Sequence, residues 1–341
     1  GDFVMVAGFP GTTERHRTAA ETRFYFESFY PLQQRLLSDY SDAINATTTG
    51  KPDLAIRYAS ILKGADNYKK KILGQLAGAE TIRLIERKET DERAFRDWIN
   101  AGPARQQRWG DAIADLDRLT QEANAANIDG LRRALLDRGQ LYASAMRAYR
   151  WALERAKPDA ERKSGFQDRD RRAVQEALTQ VERRFDPAVD RALFERALAE
   201  YRKLPPAARN AGFDAALEKI GVDTLYRDTK LGTTNDRLAL LDMPADAFDR
   251  STDPFVRLAV AAYPDVAARE AASDARSGDL QAARSAYMDA RIAYAATQGE
   301  TLYPDANGSL RFTYGKVTAK KRDGMAWSAF TTAEGIVEKQ T

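Results

Sequence analysis

The order of the predicted elements, with strands at both ends and helices between them, most constrains how this chain can fold. Residues 3–7 form a short apolar run that stops at a turn rich in glycine and proline, which is typical of a strand buried on both faces. Between residues 18 and 299 the apolar spacing and the end signals are helical. The pattern predicts a mainly α chain, in which a large irregular helical domain is inserted into a β fold.

The C-terminal part returns to a strand pattern. Apolar and polar side chains alternate from Leu310, and Asp323-Gly324 is a hairpin-turn signal. Further strands are predicted at Phe330-Thr331-Thr332 and at Ile336-Val337. Neither end holds enough strands to satisfy its own edges, so the end segments should be ordered only if they find strand partners, either each other or a second copy.

Signals for helix ends divide the central region. Thr18 and Glu21 form a capping-box pattern, and Pro31 should kink or break the helix that follows. Other helix starts are predicted at Pro52, Asp186-Pro187 and Asp253-Pro254, and breaks at Gly102-Pro103 and Tyr263-Pro264. No repeat of fixed period is present, which disfavours a helical solenoid.

Composition excludes several classes of protein. The chain has 341 residues, 43% of them hydrophobic, so it can bury a core and exceeds the size at which one core normally suffices. Its 53 Lys and Arg residues are interspersed with 50 Asp and Glu residues, which gives no nucleic-acid signal. No apolar stretch reaches the roughly 20 residues of a membrane span. The chain has no cysteine, which excludes disulfides and thiol chemistry.

The helix after Pro52 has two stripes at helical spacing. The first is apolar and predicts a buried face: Leu54, Tyr58, Ile61, Ala65, Tyr68, Ile72, Ala79 and Ile82. The second contains Gly64, Asn67, Lys71, Gly74 and Gly78. Because each interior glycine costs about 1 kcal/mol relative to alanine, something should approach this stripe closely. Spacing alone favours tight packing against another helix, and the alternative is a polar groove in which Asn67 presents its amide to a ligand.

Catalytic constellations are nearly absent. The one histidine, His16, has no second imidazole or cysteine beside it, which excludes a multi-histidine metal site, and no serine lies in a glycine-rich elbow. His16 is therefore predicted to be a surface or loop residue. Gly8-Phe9-Pro10-Gly11-Thr12-Thr13 lies between a strand and a helix but lacks the lysine and glycine spacing of a phosphate loop. We expect no metal and no cofactor.

Two long motifs resemble a known family. Residues 1–15 (GDFVMVAGFPGTTER) and 303–317 (YPDANGSLRFTYGKV) are similar, in sequence and in order, to motifs of serine peptidase family 46, the bacterial dipeptidyl peptidases of types 7 and 11. Residues 253–259 (DPFVRLA) and 58–78, which include Asn67-Tyr68-Lys69-Lys70, resemble further landmarks of that family. The likeness therefore spans nearly the whole chain.

The resemblance implies a chymotrypsin-like double β-barrel with a helical domain inserted between the barrels. By this analogy residues 1–17 are the last strand and exit loop of the first barrel, 18–299 a helical cap domain, and 300–341 the first strands of the second barrel. The family's catalytic His and Asp would precede Gly1, and its nucleophilic Ser would follow Thr341. No catalytic residue is then expected in this chain, which alone should be inactive.

The resemblance also implies a function. Such enzymes remove dipeptides from peptide N-termini in the Gram-negative periplasm, so the location is expected to be periplasmic or secreted. The partners would be peptides with a free N-terminus, with no nucleic acid and no membrane, and the full-length enzyme could form a homodimer. Asn67 matches the family's asparagine that binds the substrate α-amino group. The rival hypothesis is a non-enzymatic helical adaptor that binds a peptide or partner helix. An adaptor should be complete, whereas a cap should leave strand edges and apolar surface exposed.

Overall fold

The computed structural model describes residues 1–322, 325–327 and 332–337. The chain divides into two compact units. The helical unit comprises Thr18–Tyr294, and the end unit joins Gly1–Arg17 to Ala295–Thr341. The assignment of these segments to two β-barrels and a cap stays a prediction.

Helices dominate the described residues, which confirms the mainly α prediction. Their bounds are α1 Ala19–Phe24, α2 Tyr30–Thr48, α3 Pro52–Thr81, α4 Leu84–Asn100, α5 Pro103–Ala134, α6 Gln140–Arg155, α7 Arg171–Gln180, α8 Pro187–Tyr201, α9 Ala211–Ile220, α10 Val222–Asp228, α11 Thr234–Ala239, α12 Ala245–Asp249, α13 Pro254–Thr297 and α14 Glu334–Val337. In this part of the chain, no helix combines the length and the apolar character that crossing a membrane requires.

The predicted helix starts are confirmed at atomic detail. At α1 the Thr18 backbone N–H donates to the Glu21 carboxylate (2.9 Å), and the Glu21 N–H donates to the Thr18 hydroxyl (3.2 Å), which completes the capping box. Asp186 accepts from two backbone N–H groups at the start of α8, and Asp253 does the same at the start of α13. Each carboxylate satisfies donors that a helix N-terminus leaves free.

Pro31 and Pro264 differ in how the helix around them is arranged. Before Pro31 the helix widens into a π-helical segment, Tyr25–Phe29, in which the Tyr30 N–H donates to the Tyr25 carbonyl, and it then continues as α2. The break predicted at Tyr263-Pro264 is wrong, because α13 runs through Pro264. A proline in a helix interior costs about 3 kcal/mol, and here the neighbouring turns are fully buried at Leu258, Ala259 and Ala262. Burial of those turns offsets the lost hydrogen bond.

The helical unit contains several apolar clusters. The largest joins α6, α8, α9 and the start of α13 and includes Tyr142, Phe194, Tyr201, Phe213 and Phe255. A second joins α4, α5 and the later part of α13 and includes Phe95, Ile99, Trp109, Leu116 and Tyr287. A third joins α2, α3 and α8 through Ile44, Tyr58, Val189 and Leu193. The third cluster anchors the helix that carries Asn67.

The end unit contains the strands. β1 (Phe3–Gly8) pairs antiparallel with β2 (Arg311–Lys316), with Met5 opposite Tyr314 and Ala7 opposite Phe312. The two ends thus pair with each other. β3 (Lys320–Arg322) pairs antiparallel with β4 (Met325–Trp327), as expected of a hairpin at 323–324, although Asp323 and Gly324 themselves lie outside the described residues.

Two strand predictions need correction or fall outside the description. Phe330 and Thr331 lie outside the described residues. The strand predicted at Ile336-Val337 is wrong, because these residues end the one-turn helix α14. The Gly335 N–H donates to the Thr332 carbonyl (3.1 Å), which starts a helical turn in place of an extended chain.

The prediction that residues 3–7 are buried on both faces is wrong within the end unit. Phe3 is 64% exposed and Val6 is 65% exposed. Their side chains lie on opposite faces of β1, so both faces are exposed. A ribbon of two strands has two open faces and two open edges, so its side chains stay exposed unless another layer covers them.

Candidate functional site

Helix α3 carries the predicted binding residue, Asn67, and is fixed in place by buried side chains on its other face. Pro52 occupies its first turn, where the missing N–H costs nothing. Tyr58, Ala65 and Ile72 are buried, and the Tyr58 hydroxyl accepts a hydrogen bond from the Asp186 N–H (3.2 Å). Burial raises the pKa of Tyr58, so its phenol stays neutral. The predicted buried stripe is confirmed at these three positions, whereas Tyr68 and Ile82 are exposed.

The second stripe of α3 is open along its whole length. Gly64, Asn67, Lys71, Gly74 and Gly78 are all exposed, and we call these five residues the exposed stripe. A Cβ atom built on any of its three glycines would meet no heavy atom within 4 Å. No helix in the described residues packs against these glycines, so the tight-packing interpretation fails within this part of the chain.

Asn67 lies near the middle of the exposed stripe. In the described part of the chain its amide makes no hydrogen bond. Its neighbours are partly engaged: Asp66 pairs with Lys69 (2.7 Å), and the Lys71 ammonium lies 5.2 Å from the centre of the Tyr68 ring. An asparagine amide offers both an acceptor oxygen and two N–H donors. The stripe can therefore receive a polar group at Asn67 and a closely approaching backbone at the glycines.

His16 lies in the end unit, in the loop after β1. Its Nε2 is 2.9 Å from the Tyr303 carbonyl oxygen, to which it can donate a hydrogen bond, and its backbone N–H donates to Asp305. This is a half-buried structural position in a loop, in agreement with the predicted loop location.

Asp305 is a hydrogen-bonding centre that the sequence did not point to. Its carboxylate accepts from the Thr13 hydroxyl (2.6 Å) and from the Arg15 backbone N–H (2.8 Å). Burial alone would raise the pKa of Asp305, but these hydrogen bonds and that from the His16 N–H outweigh it and hold the pKa below its usual value. The Thr13 hydroxyl also accepts from the Ala306 N–H (2.8 Å). These contacts join the two terminal motifs into one structure, which we call the Asp305 latch.

The turn considered as a phosphate loop belongs to this latch. The Gly308 N–H donates to the carbonyls of Pro10 and Gly11, and the Thr13 N–H donates to the Ala306 carbonyl. Its backbone groups are thus used for contacts with the C-terminal motif. Among the described residues, no group of three or more His, Asp or Glu side chains could hold a metal ion.

Comparison with known proteins places the chain in a family. An Asp/Glu-specific dipeptidyl-peptidase from Shewanella putrefaciens is 36% identical over 350 residues, which cover all of this chain and 47% of that protein. Dipeptidyl-peptidase 7 from Porphyromonas gingivalis is 26% identical over 356 residues, covering 99% of this chain and 47% of that protein. The chain thus spans about half the length of these relatives.

A solved structure shares the fold. DPP11 from Porphyromonas endodontalis, in complex with the dipeptide Arg-Glu, superposes with a TM-score of 0.66 at 20% identity, over 99% of this chain and 48% of that one. The model of the family described as peptidase S46 matches residues 1–341. The resemblance carried by the two terminal motifs is confirmed, and the chain belongs to the peptidase S46 family.

Proposed function

We propose that this chain is the helical cap and the substrate N-terminus-recognition region of a serine-type dipeptidyl aminopeptidase that removes dipeptides from peptide N-termini. The support is the membership of the family, together with relatives that are named dipeptidyl-peptidases. Because the chain spans 47% of those relatives, we assign the Ser, His and Asp of an acyl-transfer triad to segments outside these residues. The chain alone is then expected to be inactive, without cofactor or metal.

The observation that carries the proposal is the exposed stripe. Interior glycines destabilise a helix, and these three gain no packing within the described chain in return. A helix that keeps bare backbone on both sides of an unengaged amide is suited to close approach by a ligand. A peptide with a free N-terminus would place its ammonium at the Asn67 amide oxygen, which accepts one of the three ammonium hydrogen bonds.

The anchoring of α3 explains how this contact would set the length of the product. Asn67 stands on a helix whose opposite face is fixed by Tyr58, Ala65 and Ile72, so the amide oxygen holds a constant position. A fixed ammonium site at the closed end of a cleft leaves room for a defined number of residues before the scissile bond. With two residues in that space, the product is a dipeptide.

The β1–β2 ribbon supports the proposal that the two ends of this chain are strands of a chymotrypsin-like double β-barrel. Its exposed Phe3, Met5, Phe312 and Tyr314 are side chains that further strands would bury. A self-contained helical adaptor, the rival hypothesis, gives no reason for such a ribbon. We extend the proposal to the family's other properties, namely a periplasmic or secreted location and a homodimer of the full-length enzyme.

The test is the effect of Asn67→Ala in the intact protein on free and N-acetylated peptides. A hydrogen bond to a charged group contributes about 1.5–3 kcal/mol, so kcat/KM for the free peptide should fall by about 10- to 150-fold. The acetylated peptide has no ammonium, so its slower cleavage should change little. Gln75→Ala is the matched control, because Gln75 is an exposed amide on α3 outside the exposed stripe.

Equal losses for the two peptides would make Asn67 a structural residue of α3 and contradict the proposal. A loss in Gln75→Ala as large as that in Asn67→Ala would show that any change on this helix disturbs the site. Circular dichroism of each variant checks that the helical unit is intact.

A further inference from the structure

A cavity lies in the helical unit between the C-terminal half of α5 and the middle of α13. Its volume is about 660 Å³, within the range of sites that bind small ligands. The two helices run antiparallel: Trp109 near the start of α5 donates to Asp289 near the end of α13 (2.9 Å), whereas Arg133 and Arg269 line the cavity together. A Cβ atom built on Gly130 would meet no heavy atom of the described residues within 4 Å. Over this stretch the helices therefore leave an open groove, which we call the α5–α13 groove.

Three half-buried arginines line the α5–α13 groove, and their charges are only partly compensated. The Arg133 guanidinium donates to the Ala208 carbonyl (2.9 Å), which carries no net charge. Arg269 pairs with Asp265 (2.7 Å). Arg276 pairs with no carboxylate among the described residues. Two of the three guanidiniums can therefore accept an anionic partner without losing one.

The electrostatic balance of the groove is positive. Asp129 is the one acidic residue among the residues that line it, against three arginines. Burial and the neighbouring Arg269 lower the pKa of Arg133, and Asp129 and Asp265 each have a smaller, opposite effect. Arg133 still carries its charge at neutral pH, because an arginine pKa lies far above 7. A negatively charged ligand would relieve the repulsion between the arginines and gain charge-assisted hydrogen bonds.

The spacing of the arginines favours an extended ligand over a compact ion. Arg276 follows Arg269 by two helical turns, so their positions on α13 are about 10 Å apart at 1.5 Å per residue. An extended peptide rises about 3.3 Å per residue, and its alternate side chains lie on one face. Acidic side chains at alternate positions of such a peptide can therefore reach both arginines, whereas a single phosphate ion cannot.

The other lining residues suit the backbone of an extended peptide. Large apolar side chains come only from Phe29, Leu131 and Leu280. Most of the remaining lining residues are small or carry hydroxyl or amide groups: Ala126, Asn127, Gly130, Ala272, Ser273 and Ser277. Small side chains let a backbone approach closely, and the hydroxyl and amide groups can pair with its N–H and C=O groups. An aliphatic ligand would leave these groups and the arginines unpaired.

We propose that the α5–α13 groove binds an extended peptide segment with acidic side chains at alternate positions. Its carboxylates pair with Arg133 and Arg269 at one end and with Arg276 two turns away, and its backbone lies along the small and hydroxyl-bearing side chains. The inference does not rest on the proposed function, because none of the residues that line the groove in the described part of the chain belongs to the exposed stripe.

Isothermal titration calorimetry of the 341-residue chain tests the site directly. The probe is the peptide Glu-Ser-Glu-Ser-Glu, acetylated and amidated at its ends, and it should bind with saturation at one site per chain. The matched peptide Gln-Ser-Gln-Ser-Gln has the same length without the charges and should bind about tenfold more weakly. Equal binding of the two peptides, or no saturable binding of the acidic one, would overturn the proposal. Tripolyphosphate that binds more tightly than the acidic peptide would make the groove a phosphate site and overturn it as well.

Two charge changes of opposite sign locate the bound peptide. Arg276→Gln removes a guanidinium that has no partner in the described part of the chain, so the Kd for the acidic peptide should rise about three- to tenfold. Asp129→Asn removes the opposing charge, so the Kd should fall about two- to fivefold. Arg257→Gln is the matched control, because Arg257 is an exposed arginine of α13 that does not line the groove. A Kd that neither charge change alters, or an equal rise in Arg257→Gln, would overturn the proposal.

Two further variants complete the test. Ser273→Trp places a bulky side chain in the groove at an exposed position and should abolish binding. If its thermal unfolding shows that it does not fold, Arg276→Gln and Asp129→Asn still decide the result. Asn67→Ala should leave the Kd unchanged. Binding that is lost in Asn67→Ala but kept in Arg276→Gln would place the acidic peptide on the exposed stripe, beside Lys71, which overturns the groove proposal and leaves the proposed function to its own test.

Discussion

Large apolar side chains lie at opposite extremes of exposure in the two units. In the helical unit Trp151, Phe194 and Phe255 are at most 1% exposed, whereas in the end unit Phe3 is 64% and Tyr314 is 73% exposed. The end unit is held instead by the β1–β2 ladder and by the Asp305 latch. Burial therefore stabilises one unit, and hydrogen bonds between two distant segments order the other.

The largest expected difference in the free energy of unfolding is between two Phe→Ala substitutions, one in each unit. Phe194→Ala removes a fully buried ring that packs against Phe255 and Tyr142, so the free energy of unfolding should fall by about 3–5 kcal/mol. Phe312→Ala removes a ring that is 58% exposed, and its effect should stay within about 0.5 kcal/mol. Urea unfolding followed by circular dichroism measures both. Equal costs would show that the end unit buries a core of its own.

The second prediction concerns Glu200, a buried carboxylate of the helical unit whose partner Arg35 is 41% exposed. Hydrogen bonds from Arg35 (2.9 and 3.0 Å) lower the pKa of Glu200 to about 2, in spite of burial, with help from Lys203. A lowered carboxyl pKa stabilises the fold above the unfolded pKa near 4.5, and this contribution is lost as the pH falls toward 2. Because the side chains of Arg35 and Lys203 are about half exposed and screened by solvent, it amounts to about 1–3 kcal/mol.

Glu200→Gln should therefore lower the free energy of unfolding above pH 4.5 and weaken its dependence on pH below that value. Urea unfolding across this pH range is the measurement. Glu195→Gln is the control, since Glu195 pairs with Arg191 at 2.9 Å but its side chain is 48% exposed, and such pairs contribute about 0–1 kcal/mol. Identical profiles for the wild type and Glu200→Gln would contradict the assigned pKa shift.

The third prediction tests the latch of the end unit. Asp305→Ala removes the acceptor of the Arg15 and His16 backbone N–H groups, so local opening should become easier by about 2 kcal/mol. Hydrogen exchange at residues 13–16 should then accelerate about 30-fold, while exchange in α6 and α8 stays unchanged. Asp2→Ala, an exposed aspartate of the same unit, is the control. Faster exchange throughout the helical unit would show that the two units do not open independently.

The smallest expected effect is the stabilisation by Gly74→Ala, and the same substitution at a second helical glycine should have the opposite sign. Gly74→Ala should stabilise the chain by about 0.5–1 kcal/mol, because its Cβ meets no neighbour within 4 Å. Gly212→Ala should destabilise it, because its Cβ would clash with the Ala261 backbone carbonyl. Thermal unfolding compares the two. If the exposed stripe receives substrate, Gly74→Ala should also lower kcat/KM of the intact protein, and unchanged activity would remove the functional explanation of Gly74.

The helix starts could be predicted from sequence because capping is a local interaction. The Thr18 and Glu21 pair, Asp186-Pro187 and Asp253-Pro254 place donor and acceptor within a few residues of each other. The continuity of α13 through Pro264 could not, because it depends on burial by segments distant in sequence. The pairing of β1 with β2 joins residues more than 300 positions apart, and no local signal indicates the partner of a strand.

The candidate site was predictable in part. Helical spacing put Asn67 and the three glycines on one face, but only the neighbouring elements show that this face is open. The Asp305 latch was missed for the same reason, since it brings together residues from separate segments.

The π-helical segment Tyr25–Phe29 limits the insertions and deletions that the chain can accept before α2. Such a segment is an α-helix with one residue inserted, and one residue rotates everything after it by about 100° around the helix axis. With that rotation in place, Leu36 and Ile44 of α2 are buried. Deleting one residue between 25 and 29 would restore a regular helix and turn α2 away from its partners. The length of this segment, more than its aromatic composition, determines which side of α2 faces α3.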